Sequence, residues 1–98
     1  MLLRHALGER LREARTTAGM SIRALSATAG VSVGYLSEIE RGHKEVSSEI
    51  LAAVCRALGV DVSSVVAGAA GAMAAADAAV TFAPVQTLPH IVTTVSAA

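Results

Sequence analysis

The side chains that most often perform catalysis or bind metals are few and scattered in this sequence. Its three histidines, His5, His43 and His90, lie far apart and form no recognised metal-ligand motif. Its single cysteine, Cys55, falls on an apolar helical stripe, where a thiol packs as a small core residue. No glycine-rich segment is followed by a phosphate-binding lysine, and no serine stands in a nucleophile motif. The sequence therefore predicts a protein that is not an enzyme and uses no metal or cofactor.

The basic side chains, which could neutralise phosphates instead, are concentrated in the first half of the chain. Residues 1–46 hold seven of the eight basic and five of the eight acidic residues, a net charge of +2. Phosphate neutralisation supplies most non-specific affinity for nucleic acid, so this charge predicts weak DNA binding by a monomer. The arginines around Glu9 and Glu13 are interpreted mainly as the solvated face of a helix.

Two short helical patterns separated by a glycine could position side chains on DNA. Ser21 and Ser32 are candidate N-caps, because a hydroxyl can accept a hydrogen bond from an otherwise unpaired amide of the first turn. Gly30 follows the first pattern, where glycine enters the left-handed conformation cheaply. The second pattern carries apolar residues at helical spacing and ends at Gly42. Two helices joined in this way form the unit that places its second helix in the major groove.

Three further helical patterns surround this pair, and no stretch up to Gly68 predicts a strand. The expected starts are Leu3 for the first helix, Ser47 or Ser48 for the fourth, and Asp61 or Ser63 for the fifth. The fold class predicted from these patterns is all-α, with a five-helix domain over residues 3–67 and an alanine-rich, apolar tail over residues 68–98.

The composition of residues 68–98 differs from that of the domain. Alanine predominates up to residue 79, and few side chains there could anchor a helix to a core. Pro84 and Pro89 forbid one continuous helix, and the residues after Pro89 are β-prone. The segment is either disordered in the monomer or ordered and covered by a second subunit, because its exposed apolar residues would be a liability.

The same features bear on where the protein works. The alanine-rich window contains Asp77 and is weakly hydrophobic, which argues against a membrane span. A single cysteine suits a reducing compartment, and the N-terminus does not read as an export signal. A cytoplasmic location is therefore expected.

The stretch from Gly30 to Gly42 resembles the phage-repressor-like, xenobiotic-response-element helix-turn-helix family. Residues 30–32 are Gly-Val-Ser, and residues 35–42 are Tyr-Leu-Ser-Glu-Ile-Glu-Arg-Gly. Residues 57–60 match the end of the family's fourth helix. The resemblance covers roughly residues 7–66 and implies a repressor-like fold that binds double-stranded DNA as a homodimer. Residues 36–49 most resemble regulators of Clp protease genes, which implies an activator of Clp protease or stress genes.

Carried over position by position, the resemblance implies two groups of DNA-facing residues. Those beside the phosphate backbone are Ser21, Ile22, Arg23, Tyr35, Arg41 and Lys44. Those on the groove-facing side of the third helix are Ser32, Val33, Gly34, Ser37 and Glu38. The resemblance also implies a structural ion pair between Arg15 of the first helix and Glu40 of the third.

Three positions depart from the family's usual pattern. Ile22 stands where many relatives have glutamine, and Val33 and Gly34 replace longer polar residues. Val33 can touch a thymine methyl, whereas Glu38 can either accept a hydrogen bond from cytosine or repel phosphate. The base preference therefore stays open, and DNA shape could carry part of it.

The end of the chain suggests a second partner and an alternative function. Residues 95–98 resemble the small apolar C-terminal tags that Clp proteases recognise, which implies that a Clp protease binds this tail. In the alternative, the chain is an antitoxin-like or adaptor module whose apolar tail becomes ordered on a partner protein.

Overall fold

The structure, a computed structural model, describes the backbone of residues 1–85 and the side chains of residues 1–79. Five helices follow one another, and no strand occurs within this part of the chain. They are α1 (Leu3–Thr17), α2 (Ile22–Ala29), α3 (Val33–Glu40), α4 (Ser48–Leu58) and α5 (Val62–Val85). The predicted all-α, five-helix fold is confirmed. The Clp-like tag at residues 95–98 lies outside the described residues.

Serine caps determine where three of the helices begin. Ser21, Ser32 and Ser47 each accept a hydrogen bond from the backbone amide three residues later, at 3.1, 3.1 and 3.2 Å. Gly30 follows α2 with a φ of 72°, the left-handed conformation that favours glycine. Because α2 and α3 have only eight residues each, these caps matter more than they would in longer helices.

The apolar faces of the helices meet in one core. α1 packs against α3, α4 and α5, while α2 packs against α3 and α4. The largest fully buried side chains are Leu11, Leu25, Leu36, Ile39, Val54 and Cys55. Cys55 is thus a core residue, and burial raises the pKa of its thiol.

The closest approach within the core is between α1 and the end of α3. Gly8 of α1 faces the carbonyl oxygens of Ile39 and Glu40, and a methyl group at Gly8 would overlap both. Glycine is therefore required here by space, although it weakens a helix slightly compared with alanine. The contact fixes the C-terminal end of α3 against the domain.

The last helix continues well beyond the expected end of the domain. α5 crosses Gly68 without a break, Ala69 is fully buried, and Met73 packs against the core. Within the described residues the helix extends through Pro84 to Val85. Pro84 lacks a backbone donor but does not interrupt the helix, so the expectation that this proline forbids its continuation was wrong. The division of the chain at residues 67 and 68 stays a prediction, because the structure shows no interruption there.

α5 also contains an apolar window of notable length. Residues Val62–Ala79 have a mean hydropathy of 1.4 and could span a membrane by length and composition alone. Val65 and Ala69 in this window are buried against the other helices, and its remaining side chains are at least partly exposed.

Candidate nucleic-acid interface

The two faces of α3 have opposite environments. Leu36 and Ile39 are 1% and 2% exposed and hold the helix to the core. Val33, in the first turn of the helix, is 37% exposed. Apart from the chain neighbours and the backbone of the helix itself, no atom lies within 4 Å of where a side chain at Gly34 would begin. The residues predicted to face the major groove therefore lie on the accessible side of a helix that is anchored from beneath.

The N-termini of α2 and α3 present further polar groups. The hydroxyl oxygens of Ser21 and Ser32 are the acceptors in the two caps, so each hydroxyl keeps its proton to donate elsewhere. Ile22 is half-buried against the core, whereas Arg23 is exposed. A phosphate near the start of α2 would meet a serine hydroxyl, backbone amides and the positive end of the helix dipole.

Arg15 and Glu40 join α1 to the end of α3. Arg15 donates from Nε to Glu40 Oε2 at 2.7 Å and from a terminal nitrogen to Oε1 at 3.0 Å. A third bond, of 2.9 Å, runs from Arg15 to the carbonyl of Met20. The two side chains are only 15% and 7% exposed, so the pair is structural. The hydrogen bonds to Glu40 raise the pKa of Arg15 against the opposing effect of burial.

Glu38, which is predicted to face the groove, is bound to two neighbours. Its Oε2 accepts from Arg41 at 2.9 Å, and its Oε1 lies 3.2 Å from Nδ1 of His43. Desolvation acts to raise the pKa of the Glu38 carboxyl, but the bond with His43 and the charge of Arg41 outweigh it, so the pKa is lowered. Glu38 is therefore a carboxylate near neutral pH, with its charge partly balanced.

Two side chains, those of Arg4 and Tyr35, form hydrogen bonds with the loop after α3. Arg4 donates from Nε to the carbonyl of Gly42 at 3.0 Å and pairs with Glu45 at 3.2 Å. The hydroxyl of Tyr35 donates to the carbonyl of Glu45 at 3.0 Å. A phosphate contact by Tyr35, as the resemblance implied, would require this bond to break. Lys44, in the same loop, is exposed.

An open hollow of about 890 Å³ connects these elements to α1. Ile22, Ser37 and Arg41 line it, and so do His5 and Arg12, which the sequence reasoning did not assign to the site. Arg12 had been interpreted as part of a solvated face. The sequence contained a signal for the position of Arg12. His5, Glu9 and Arg12 are spaced four and three residues apart and therefore lie on one face of α1.

The described residues contain no group of three or more side chains that could hold a metal ion. His5 and His43 both line the hollow, together with arginines and carboxylates. The groups gathered there are hydrogen-bond donors, charges and small apolar side chains, which can bind a charged polymer.

Comparison with known proteins identifies the family. The helix-turn-helix family model matches residues 11–65, which include α2, the turn and α3. The chain belongs to the helix-turn-helix family. The predicted resemblance to this family is confirmed, and the α2–turn–α3 unit is its helix-turn-helix.

Named helix-turn-helix relatives agree with the family match. The chain is 51% identical over 73 residues to the transcriptional regulator ClgR of Mycobacterium tuberculosis, covering 74% of this chain. It spans 65% of the length of that relative. The clp gene regulator ClgR from Corynebacterium glutamicum has a crystal structure with a TM-score of 0.79 and 51% identity. That match covers 92% of this chain and 96% of the other.

A more distant structure shows the same fold. The restriction-modification controller protein C.AhdI from Aeromonas hydrophila is 31% identical, with a TM-score of 0.62. The match covers 63% of this chain and 94% of C.AhdI.

Proposed function

We propose that this chain is a sequence-specific DNA-binding transcriptional regulator that acts as a homodimer and controls Clp protease genes. The single observation that carries the proposal is the arrangement of α3. Its inner face is locked to the core by Leu36 and Ile39, and its outer face presents Val33, Gly34 and Glu38 beside an N-capped end. This is the arrangement that a recognition helix needs in order to enter the major groove.

The similarity to ClgR supports the proposal that the target genes are Clp protease genes. The crystallised ClgR protein is described as a clp gene regulator, and the sequence identity of 51% extends over nearly the whole of both chains. C.AhdI is a restriction-modification controller at lower identity. The Clp assignment therefore rests on ClgR, whereas DNA binding is also supported by the fold and the exposed face of α3.

Around that face, Arg41 and Lys44 are the natural phosphate-binding side chains. Both are exposed at the end of α3 or just beyond it. Arg12 lines the same hollow as Arg41 and adds a third positive charge near this face. Three cations remain a modest electrostatic footprint, which favours a dimer that doubles the number of phosphate contacts.

α5 provides an apolar surface on which a second copy could pack. Val62 and Val66 are 37% and 43% exposed and lie four residues apart on one helix face. Exposed valines in a helix that is otherwise rich in alanine would be covered by the matching face of a second α5.

The DNA-binding proposal is tested by fluorescence anisotropy with duplexes from the clp promoters at several salt concentrations. Arg41→Ala and Lys44→Ala should each weaken binding to all sequences and reduce the slope of log affinity against log salt by about one. Val33→Ser should instead change which base pairs are preferred. Arg56→Ala, an exposed arginine of α4, is the matched control and should bind as the parent does. If Arg41→Ala and Lys44→Ala behave like the control, the docking face is wrong.

The dimer is tested by sedimentation velocity. Val66→Glu places a charge on the proposed interface and should shift the protein to monomer, with weaker binding to a two-half-site operator. Ser64→Glu is the control. Ser64 is exposed near the start of α5 and lines a surface depression beside Arg10, on a different side of the helix from Val66. A monomeric parent, or a Val66→Glu variant that still dimerises, would contradict the interface.

A further inference from the structure

The end of α3 places the ring of His43 over Glu38. The amide of Gly42 donates to the carbonyl of Ile39 at 3.0 Å, and the amide of His43 donates to the carbonyl of Glu38 at 2.9 Å. Gly42 has a φ of 75°, so these bonds form the left-handed helix ending known as a Schellman motif. This ending turns the chain back and positions residue 43 beside the helix turn that contains Glu38.

The turn has little freedom to move. Arg4 donates to the carbonyl of Gly42 at 3.0 Å, and a side chain at Gly42 would overlap His5 of α1. Four residues earlier in the chain, Glu38 is held by Arg41 through one oxygen and by His43 through the other. Each oxygen has a second lone pair, so Glu38 can accept a hydrogen bond from a base while both protein bonds persist.

We infer that His43 positions Glu38 for base recognition and that DNA binding is coupled to protonation of His43. This inference rests on the proposed function. A carboxylate only accepts hydrogen bonds, so Nδ1 of His43 must carry a proton when it bonds to Glu38. Protonation at the second ring nitrogen then changes the combined charge of Glu38, Arg41 and His43 from zero to +1, at a surface that meets phosphates.

The direction of the coupling follows from linkage. Phosphates near His43 stabilise the charged ring, so bound DNA raises the tendency of His43 to hold its second proton. By reciprocity, a proton on His43 raises the affinity for DNA. Histidine ordinarily titrates near pH 6.5, so the affinity should increase as the pH falls from about 8 to about 6.

Other charged groups face the same hollow and must be separated from His43. They are His5, Glu9, Arg12 and Arg15 on α1, and Glu40 and Arg41 on α3. Arg15 and Glu40 neutralise each other. Met1 also lines the hollow, and its α-amino group, like His5, ordinarily changes charge between about pH 6 and 8. His5 therefore requires its own control variant, and an N-terminally acetylated form of the protein controls for the amino group.

The experiment measures anisotropy with a clp-promoter duplex at constant ionic strength across this pH range. The parent should bind several-fold more tightly at the acidic end, because a charged imidazole adds a positive charge at the surface proposed to meet phosphates. His43→Asn keeps an amide donor for Glu38 but cannot titrate, so it should lose the pH dependence and retain the base preference. His43→Ala should lose both, and a library of single base-pair changes should show weaker discrimination at one position per half-site.

Two control variants and the acetylated protein separate the outcomes. His5→Gln and the acetylated protein should keep the pH dependence of the parent, whereas Lys44→Ala should weaken binding equally at every pH. Specific binding that is independent of pH, or a His43→Asn variant that keeps the parent's pH dependence, would overturn the coupling alone. An unchanged base preference in His43→Ala would overturn the positioning of Glu38. Failure of the parent to bind any clp promoter at any pH would reject the proposed function, and the inference with it.

Discussion

α1 holds two of its neighbours, α3 and α5, in different ways. Against α3 the contact involves backbone atoms, because Gly8 lies against the carbonyls of Ile39 and Glu40. Against α5 the corresponding glycine, Gly68, lies beside the side chain of Arg10. Backbone atoms at a helix end cannot move without moving the helix, whereas an arginine side chain has several rotatable bonds. The α1–α3 contact should therefore be rigid and the α1–α5 contact adaptable.

The difference matches what each helix would do in a regulator. A recognition helix has to present its side chains to base edges in a fixed position, and α3 is fixed by glycine packing, the Arg15–Glu40 pair and two core residues. A helix that joins two subunits can adjust to the spacing of the half-sites. Where α5 meets α1 at Gly68, the neighbouring atoms belong to the Arg10 side chain, which can change rotamer and so allows such adjustment.

The strongest test of this comparison is Gly8→Ala. The added methyl group would overlap carbonyl oxygens that cannot move independently, so we expect a loss of about 2–3 kcal/mol despite the better helix propensity of alanine. For a domain of this size, that corresponds to a decrease in Tm of about 10–20 °C. Thermal unfolding followed by circular dichroism measures the change.

The matched control is Gly34→Ala, at a helical glycine with open space around it. It should leave the protein equally or more stable, by up to about 1 kcal/mol, because only helix propensity changes. If Gly8→Ala is as stable as Gly34→Ala, the contact between α1 and α3 is not rigid.

The next largest effect is expected for Glu40→Ala. The change leaves the guanidinium of Arg15 without its two charged hydrogen bonds in a site that is only 15% exposed. Loss of these bonds should cost about 1.5–3 kcal/mol in the free energy of unfolding, measured by urea denaturation. Glu38→Ala removes a more exposed ion pair on the same helix, with Arg41, and should cost much less. Equal losses for the two variants would mean that the Arg15–Glu40 pair does not fix α3.

Residue patterns predicted much of the fold because three of the five helix starts have a local cause, a serine cap. The serine caps at Ser21 and Ser32 and the glycine at Gly30 act within three or four residues, so their geometry follows from the sequence alone. The extent of α5 was harder to predict. Alanine favours a helix, but whether it anchors depends on the packing of Ala69 against α1 and the core, which has no local signature.

The candidate site shows the same limit. The residues proposed to face the groove are implied by the family resemblance, whereas no local signal in the sequence indicates the role of Gly8. Its close approach to α3 joins residues more than thirty positions apart. The bonds of Tyr35 to Glu45 and of His43 to Glu38 depend on the path of the loop after α3, so they too required the structure.

The smallest effects, and the sharpest comparison within α5, are expected for Gly71→Ala and Gly68→Ala. Gly71 has open space, so alanine should stabilise the protein by about 0.5–1 kcal/mol through helix propensity alone.

At Gly68 the new methyl group would lie 2.9 Å from Cδ of Arg10, which can rotate away. Rotation would disturb the 2.9 Å bond between Arg10 and Glu13, an exposed pair worth little. Gly68→Ala should therefore be a few tenths of a kcal/mol less stabilising than Gly71→Ala, measured by chemical denaturation at a protein concentration that keeps the oligomeric state constant. A loss at Gly68 as large as that at Gly8 would show that both faces of α1 are rigid.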